Sequence, residues 1–521
     1  MKKPASSKKT HPEKATGKDN SVFYFLGLAA VLILIVVIRF NYLEIPFERD
    51  EGVYAYGGRI ILNGAVPFKD LGSQRLPGVF YCYAAIIALF GYTLKSLHIA
   101  FIAINLASAV IIFLTARRLF SSLAALSAAI FWALLSMNSA ICGFTIQSEH
   151  LVAVFALGGI YCLIRYFDRT AYFWAALAGL CFSFAFEVKQ TSFFLGLFAG
   201  ILLVGRQILE KPRNIKRAIV SGLIFSAAVL APIAMDLFVV LIRGGWEDFN
   251  YWFFDVRKEY STMITFTQGL VSLKDNLQGI YANYEFIWLT SLAGTLSIFT
   301  TRAKWWIKAT VAGFFTFGFL TVMPGNHYYG HYFLQWIPAV CLSAAAFIYT
   351  AEELLILKLN LRTSAKYIIL AILLLFSFTH LNAMKTYYFS PDYTKVLRQI
   401  YKLNPFPESK VIADKLNTLM KPNDKLVVLG SEPQLYVYTN KIAPTRFFSS
   451  GVLLEFPVKK SEDWQNEFIS DVEKAAPEYL VVYSNPISWM INLKVKNLIF
   501  PWFNKFQAEK YVMVGQNWTS F

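Results

Sequence analysis

Apolar runs close to membrane-spanning length, joined by short basic stretches, constrain this chain more than any other feature. A spanning helix takes about 20 predominantly apolar residues. Eleven runs fit, at 21–40, 96–116, 121–139, 150–166, 171–187, 191–206, 218–242, 284–301, 305–323, 331–351 and 366–384. With 56% hydrophobic and only 16% charged residues, the chain could not cover its apolar surface in water. The fold class expected is a polytopic α-helical membrane protein.

Charge sets the orientation. The net charge of +16 would suggest nucleic acid in a soluble protein. Here the basic residues gather at alternate joints: Arg117-Arg118, Arg165 with Arg169, Arg206 to Arg217, Arg302 with Lys304, and Lys358-Arg362-Lys366. Basic residues mark cytoplasmic loops, so these joints face inward and nucleic acid is excluded as a partner. The first 20 residues carry six lysines and little that could be buried. They read as a disordered cytoplasmic tail before an uncleaved first helix. Five cysteines lie scattered in apolar segments without metal-ligand spacing, which predicts packed thiols.

The apolar segment 77–94 breaks the alternation if it is counted as a span. It is therefore read as an interfacial or re-entrant helix on the outer side, begun by Pro77. Residues 385–521 are more polar and form a separate domain of short strands and helices. Strands are expected at Lys425–Leu429, Tyr479–Tyr483 and Tyr511–Val514. A small C-terminal α/β domain outside the membrane follows.

The outer joints hold the chemistry. The first, 41–78, places Asp50 and Glu51 directly after a spanning helix. Carboxylates at a membrane boundary are costly to desolvate unless paired or used, although a solvated loop start reads equally well. Tyr54–Gly64 has helical apolar spacing and predicts a short amphipathic helix lying on the membrane. Arg75 stands just before segment 77–94, where a guanidinium could grip a phosphate with two hydrogen bonds or simply snorkel to the interface. Other outer joints carry Glu149 and His150, Lys189, and His327 with His331. On a helix, His327 and His331 would share one side and could hold a divalent cation with Glu149 or Asp50. Gly330 between them argues for a turn, and no motif specifies any other cofactor.

Together these residues resemble the glycosyltransferase 39 family, the membrane glycosyltransferases of the protein mannosyltransferase and aminoarabinose transferase type. The resemblance is carried by Asp50-Glu51 followed by Tyr54-Ala55-Tyr56, then Ile61-Leu62-Asn63-Gly64, Pro67-Phe68, Asp70 and Pro77-Gly78. Arg117-Arg118-Leu119-Phe120, Glu149, Lys189 and Gly330-His331-Tyr332-Phe333 extend it through residues 1–385. It implies a GT-C fold over 21–384, with about eleven transmembrane helices and outer juxtamembrane helices. The implied donor is a polyprenyl-phosphate sugar, and the acceptor a lipid, glycan or protein on the periplasmic face of a bacterial inner membrane. Asp50 inherits the role of catalytic base, with Glu51 assisting and Arg75 and Lys189 holding the donor phosphate. Glu149, His150, His327 and His331 are candidates for substrate or metal. Many relatives carry Lys-Pro-Pro where this chain has Arg75-Leu76-Pro77, a change that keeps the cation and alters its shape. Two other readings use similar architectures: an O-antigen ligase or polymerase, expected to carry its catalytic residues in a late outer loop, and a lipid-linked oligosaccharide transporter, expected to place polar groups near mid-membrane.

Overall fold

The computed structural model describes residues 21–517 apart from 360, 362 and 363. The expected N-terminal tail and Arg362 lie outside the described residues. A helix occupies each of the eleven expected runs: α1 (Ser21–Phe40), α4 (Leu94–Leu119), α5 (Ser122–Leu135), α6 (Ser148–Arg169), α7 (Tyr172–Val188), α8 (Phe193–Leu209), α9 (Ile215–Ile242), α13 (Glu285–Ser297), α14 (Trp305–Leu320), α15 (Ile337–Leu359) and α16 (Ser364–Ala383). The first outer loop adds α2 (Arg49–Leu62) and α3 (Gly78–Phe90). Between α9 and α13 run α10 (Trp246–Asn250), a π-helical turn (Tyr251–Val256), α11 (Arg257–Thr262) and α12 (Phe266–Tyr281).

Seven of these helices are long and apolar enough to cross a membrane, and α3, α5, α7, α13 and α14 are shorter apolar helices. Environment explains part of the difference. Every residue of α5 from Leu123 to Leu135 is buried, so α5 is apolar all round because protein surrounds it on all sides. In α9 only 11% of the apolar window is buried, and its outward side chains suit lipid. The chain direction puts Glu149 at the start of α6 and Lys189 just beyond α7, at one end of the bundle. Arg165 and Arg169 fall at the other end of α6, as the charge pattern requires.

The C-terminal part consists of α17 (Lys385–Tyr388), α18 (Tyr393–Tyr401), α19 (Phe406–Leu419), β1 (Leu426–Leu429), α20 (Gln434–Tyr438), α21 (Val452–Glu455), α22 (Ser461–Ala475), β2 (Tyr479–Val482) and α23 (Ile499–Lys510). β1 and β2 pair in parallel with Leu426 opposite Tyr479 and Leu429 opposite Val482. The expected third strand, Tyr511–Val514, does not form. Val512 and Met513 are 83% and 82% exposed, so no burial would repay ordering them against the sheet.

The expected amphipathic helix also differs. α2 begins at Arg49, five residues earlier than the apolar spacing suggests, and residues 51–58 are buried within the protein. It is sandwiched between α3 and the C-terminal domain. Gly58 permits the first contact, since a Cβ there would lie 2.8 Å from the backbone nitrogen of Ala84. Gly52 permits the second, because a Cβ would come within 2.6 Å of the Gln434 backbone nitrogen at the start of α20. Tyr56 packs on Tyr436 and Phe448 and accepts the Ala443 N–H, which completes the contact.

Candidate active site

The start of α2 is fixed by two carboxylates. Glu48 is the N-cap, its side chain accepting the Glu51 N–H at 2.9 Å, while Glu51 accepts the Glu48 N–H at 2.9 Å. This reciprocal box satisfies two amide groups that would otherwise be orphaned and places negative charge at the positive helix end. It also turns Glu51 into the protein. There Glu51 accepts the Ile146 N–H at 2.5 Å and lies 3.4 Å from His98 Nε2, with no exposure to solvent. Glu51 does not reach the cavity described below, so its geometry is that of a fastener between α2 and the bundle, not of an assistant to Asp50.

Asp50, on the adjoining face of α2, lines a cavity of about 920 Å³. The cavity lies between the outer joints and the C-terminal domain and is lined also by Arg75, Tyr260, Tyr329, His331 and Glu455. Arg75 holds Asp50 with one terminal nitrogen, donating to Oδ1 at 3.1 Å and Oδ2 at 3.2 Å, and stacks over the Tyr54 ring at 5.1 Å. Burial opposes ionisation of Asp50, but Arg75, His331, Arg49 and Lys189 outweigh it and hold the carboxyl below its usual range. Burial pushes Glu48 the other way, helped by Asp50 and Glu51. Of these two cavity-lining carboxylates, Asp50 is thereby the one kept ionised.

Arg75 spends only that one nitrogen on Asp50; its remaining guanidinium donors have no side-chain partner among the described residues. Beside it lies Arg257, at the start of α11, which donates to the Gln74 carbonyl at 2.6 Å and leaves its buried Nε without a partner. Arg257 has no carboxylate partner among the described residues. Arg75 faces the cavity with donors unspent, as a phosphate site requires, while Arg257 stacks on Phe253 at 4.9 Å behind it and does not line the cavity. The sequence pattern did not single out Arg257; its only signal is a π-helical turn preceding it, a feature frequent at functional sites.

Lys189 and Glu149 meet, but not at the cavity wall. They form a close ion pair with side chains 16% and 1% exposed, and the lysine lies 3.4 Å from the centre of the Tyr332 ring. His331, on the cavity wall, sits 4.0 Å from Glu149 and links the pair to the cavity. Lys189 thus stands one layer behind the place expected of a phosphate ligand.

His150 is buried with both ring nitrogens unpartnered and packs edge-on against Phe101. It does not join the others. His327 and His331 are not on one helical face: His331 follows Gly330 in a short 3-10 helix, and Tyr328 between them has φ +48. The rings instead interleave, His327 stacked on Tyr260 at 4.2 Å and Tyr329 on His331 at 5.9 Å. Among the described residues no group of three His, Cys, Asp or Glu side chains is arranged to hold a metal ion.

Arg49 locks the C-terminal domain over the site. It donates to the Ser431 carbonyl at 2.8 Å and to Glu432 at 3.2 Å, a carboxylate that is fully buried and also accepts from Ser488 at 2.8 Å.

Comparison with known proteins agrees with this architecture. Residues 74–235, from just before Arg75 into α9, match the family described as dolichyl-phosphate-mannose-protein mannosyltransferase. The structure is similar to that of ArnT from Cupriavidus metallidurans bound to undecaprenyl phosphate, with a TM-score of 0.56 and 14% identity over 81% of this chain and 85% of that one. It is also similar to the archaeal oligosaccharyltransferase AglB from Archaeoglobus fulgidus in complex with an inhibitory peptide and a dolichol-phosphate, at TM-score 0.53 and 12% identity over 89% and 70%. No curated protein matches the sequence. The fold is one shared with these two solved membrane proteins. The stretch matched by the mannosyltransferase family begins at the end of the first outer loop, which carries the family 39 resemblance.

Proposed function

We propose that the chain is a membrane glycosyltransferase that moves a sugar from a polyprenyl-phosphate carrier to an acceptor hydroxyl on the periplasmic face of a bacterial inner membrane. The observation that carries the reading is the Asp50–Arg75 pair on the wall of a large cavity, with unspent guanidinium donors beside it. A sugar already activated on a lipid phosphate needs two things: a base for the incoming hydroxyl and cations for the departing phosphate.

Asp50 takes the proton of the acceptor hydroxyl as that oxygen attacks the anomeric carbon. The bond from that carbon to the phosphate oxygen breaks, and polyprenyl phosphate leaves carrying the electron pair. Arg75 stabilises the charge that grows on the phosphate, and Arg257 adds positive charge from behind it. Because Arg75 also holds Asp50, it ties base and phosphate to one geometry. Attack from the face opposite the phosphate inverts the anomeric centre in a single step. Lys189 supports the site from behind through Glu149 and His331. The match to a mannosyltransferase family and the fold shared with proteins solved with lipid phosphates support this reading.

The test uses purified protein and a panel of radiolabelled polyprenyl-phosphate sugars. Release of lipid phosphate by wild type, lost in Asp50→Ala, is expected for at least one donor. A broad panel left intact, with lipid-linked oligosaccharide moved across vesicles instead, would point to a transporter.

A further inference from the structure

One carboxylate on the cavity wall has no part in the chemistry above. Glu455 is the last residue of α21 and lines the cavity together with its neighbours Val452 and Phe456. α21 is held firmly: its Leu453 and Leu454 are fully buried, and a Cβ on Gly451 at its start would lie 1.9 Å from Ser431 Oγ. Glu455 is therefore presented by a fixed element of the C-terminal domain.

Its charge is not spent on structure. Among the described residues Glu455 makes no side-chain hydrogen bond and no ion pair. The cations that act on it are already engaged, Arg49 with Ser431 and Glu432, and Arg75 with Asp50. The groups it in turn acts on are Tyr260 and Tyr329, whose phenols it helps to push up. Tyr329 lines the same cavity and is 47% exposed, its ring stacked against His327 and His331.

A free carboxylate beside a half-exposed tyrosine suits an amphipathic ring: the tyrosine packs against its apolar C–H groups and the carboxylate takes hydroxyl protons from its edge. The volume of about 920 Å³ is at the upper end of the roughly 300–1,000 Å³ range of small-molecule sites. That leaves room for a second ring beside a donor sugar.

We propose that Glu455 and Tyr329 form an acceptor subsite that takes a sugar ring, so that the acceptor is a glycan or a glycolipid headgroup. This deepens the glycosyltransferase reading and rests on it for the word acceptor, though not for the binding itself. Burial pushes Glu455 up to about 7, against Arg49 and Arg75 and with the help of Asp50. Sugar binding therefore strengthens as pH rises through that value and the carboxylate ionises.

The test is saturation-transfer NMR on the detergent-solubilised full chain with methyl glycosides of glucose, galactose, mannose and N-acetylglucosamine, alongside a serine-containing peptide. At least one glycoside is expected to bind, with affinity falling roughly tenfold in Glu455→Ala, the loss of a hydrogen bond to a charged group. Tyr329→Ala should weaken it also. Glu455→Gln keeps the shape and should abolish the tightening between pH 6 and pH 8. Undecaprenyl phosphate, titrated separately, should bind all three variants as it binds wild type. Glycosides that ignore wild type, bind the Glu455 variants unchanged, or give way to the peptide would overturn the subsite. Undecaprenyl phosphate that binds wild type and Arg75→Ala alike, with the glycoside results as expected, would remove the donor site and leave the subsite standing.

Discussion

The two faces of α2 carry neighbouring carboxylates with opposite fates. Asp50 looks into a cavity, shares its charge with a half-exposed arginine and is held ionised. Glu51, one residue on, is sealed in the bundle and spends its oxygens on backbone amides at Glu48 and Ile146. Residue type and chain position do not distinguish them; the capping box does, because it can be closed only by turning Glu51 inward. One carboxylate is left for chemistry because the other fixes the helix that presents it.

The contrast can be broken in several ways. Asp50→Asn should cost the most, roughly 10² to 10⁴ in transfer rate, the range for loss of a positioned base, with thermal stability near wild type. Kinetics and a melting curve on the same preparation check both halves. Lys189→Met should act on stability first, by about 3–5 kcal/mol, because it leaves the buried Glu149 without its partner. Adding Glu149→Gln should recover part of that loss in denaturation, which a direct phosphate ligand would not show. Glu51→Gln should cost about 1–3 kcal/mol, the penalty for buried amides left poorly paired, with kcat retained in the protein that remains folded. A kcat loss as large as that of Asp50→Asn would erase the distinction between the faces.

The smallest effect concerns pH. In the proposed mechanism transfer needs ionised Asp50, so activity should fall as pH drops through a carboxyl range already lowered by Arg75. In Arg75→Ala the acid limb of the pH–rate profile should move upward, as the largest attraction opposing burial is removed. An unmoved limb would mean that another group titrates.

Much of the architecture was legible because bilayer thickness leaves a plain mark, an apolar run near 20 residues. All eleven helices stand where those runs predict. The 77–94 segment holds a 13-residue helix packed on α2. Legibility ended where partners come from distant parts of the chain. Lys189 reads as a free cation until Glu149, forty residues earlier, is seen beside it. Arg257 lies in a stretch of mixed composition, and Glu455 in a short helix, and neither has a local pattern that reports its neighbours. The i,i+4 spacing of His327 and His331 misled because it assumes a helix, and the backbone at Tyr328 is left-handed. Tyr511–Val514 has strand composition without a strand to pair with.

In the proposed mechanism Asp50 serves the acceptor and its arginine partner the phosphate, so binding and transfer should separate on loss of the carboxylate. Purified wild type and Asp50→Asn would be titrated with undecaprenyl phosphate and assayed for sugar release from the donor that wild type consumes. The variant is expected to bind the lipid phosphate at least as tightly, since Arg75 is freed from its carboxylate, and to transfer almost no sugar. Transfer at the wild-type rate would contradict the account and move the base elsewhere on the cavity wall.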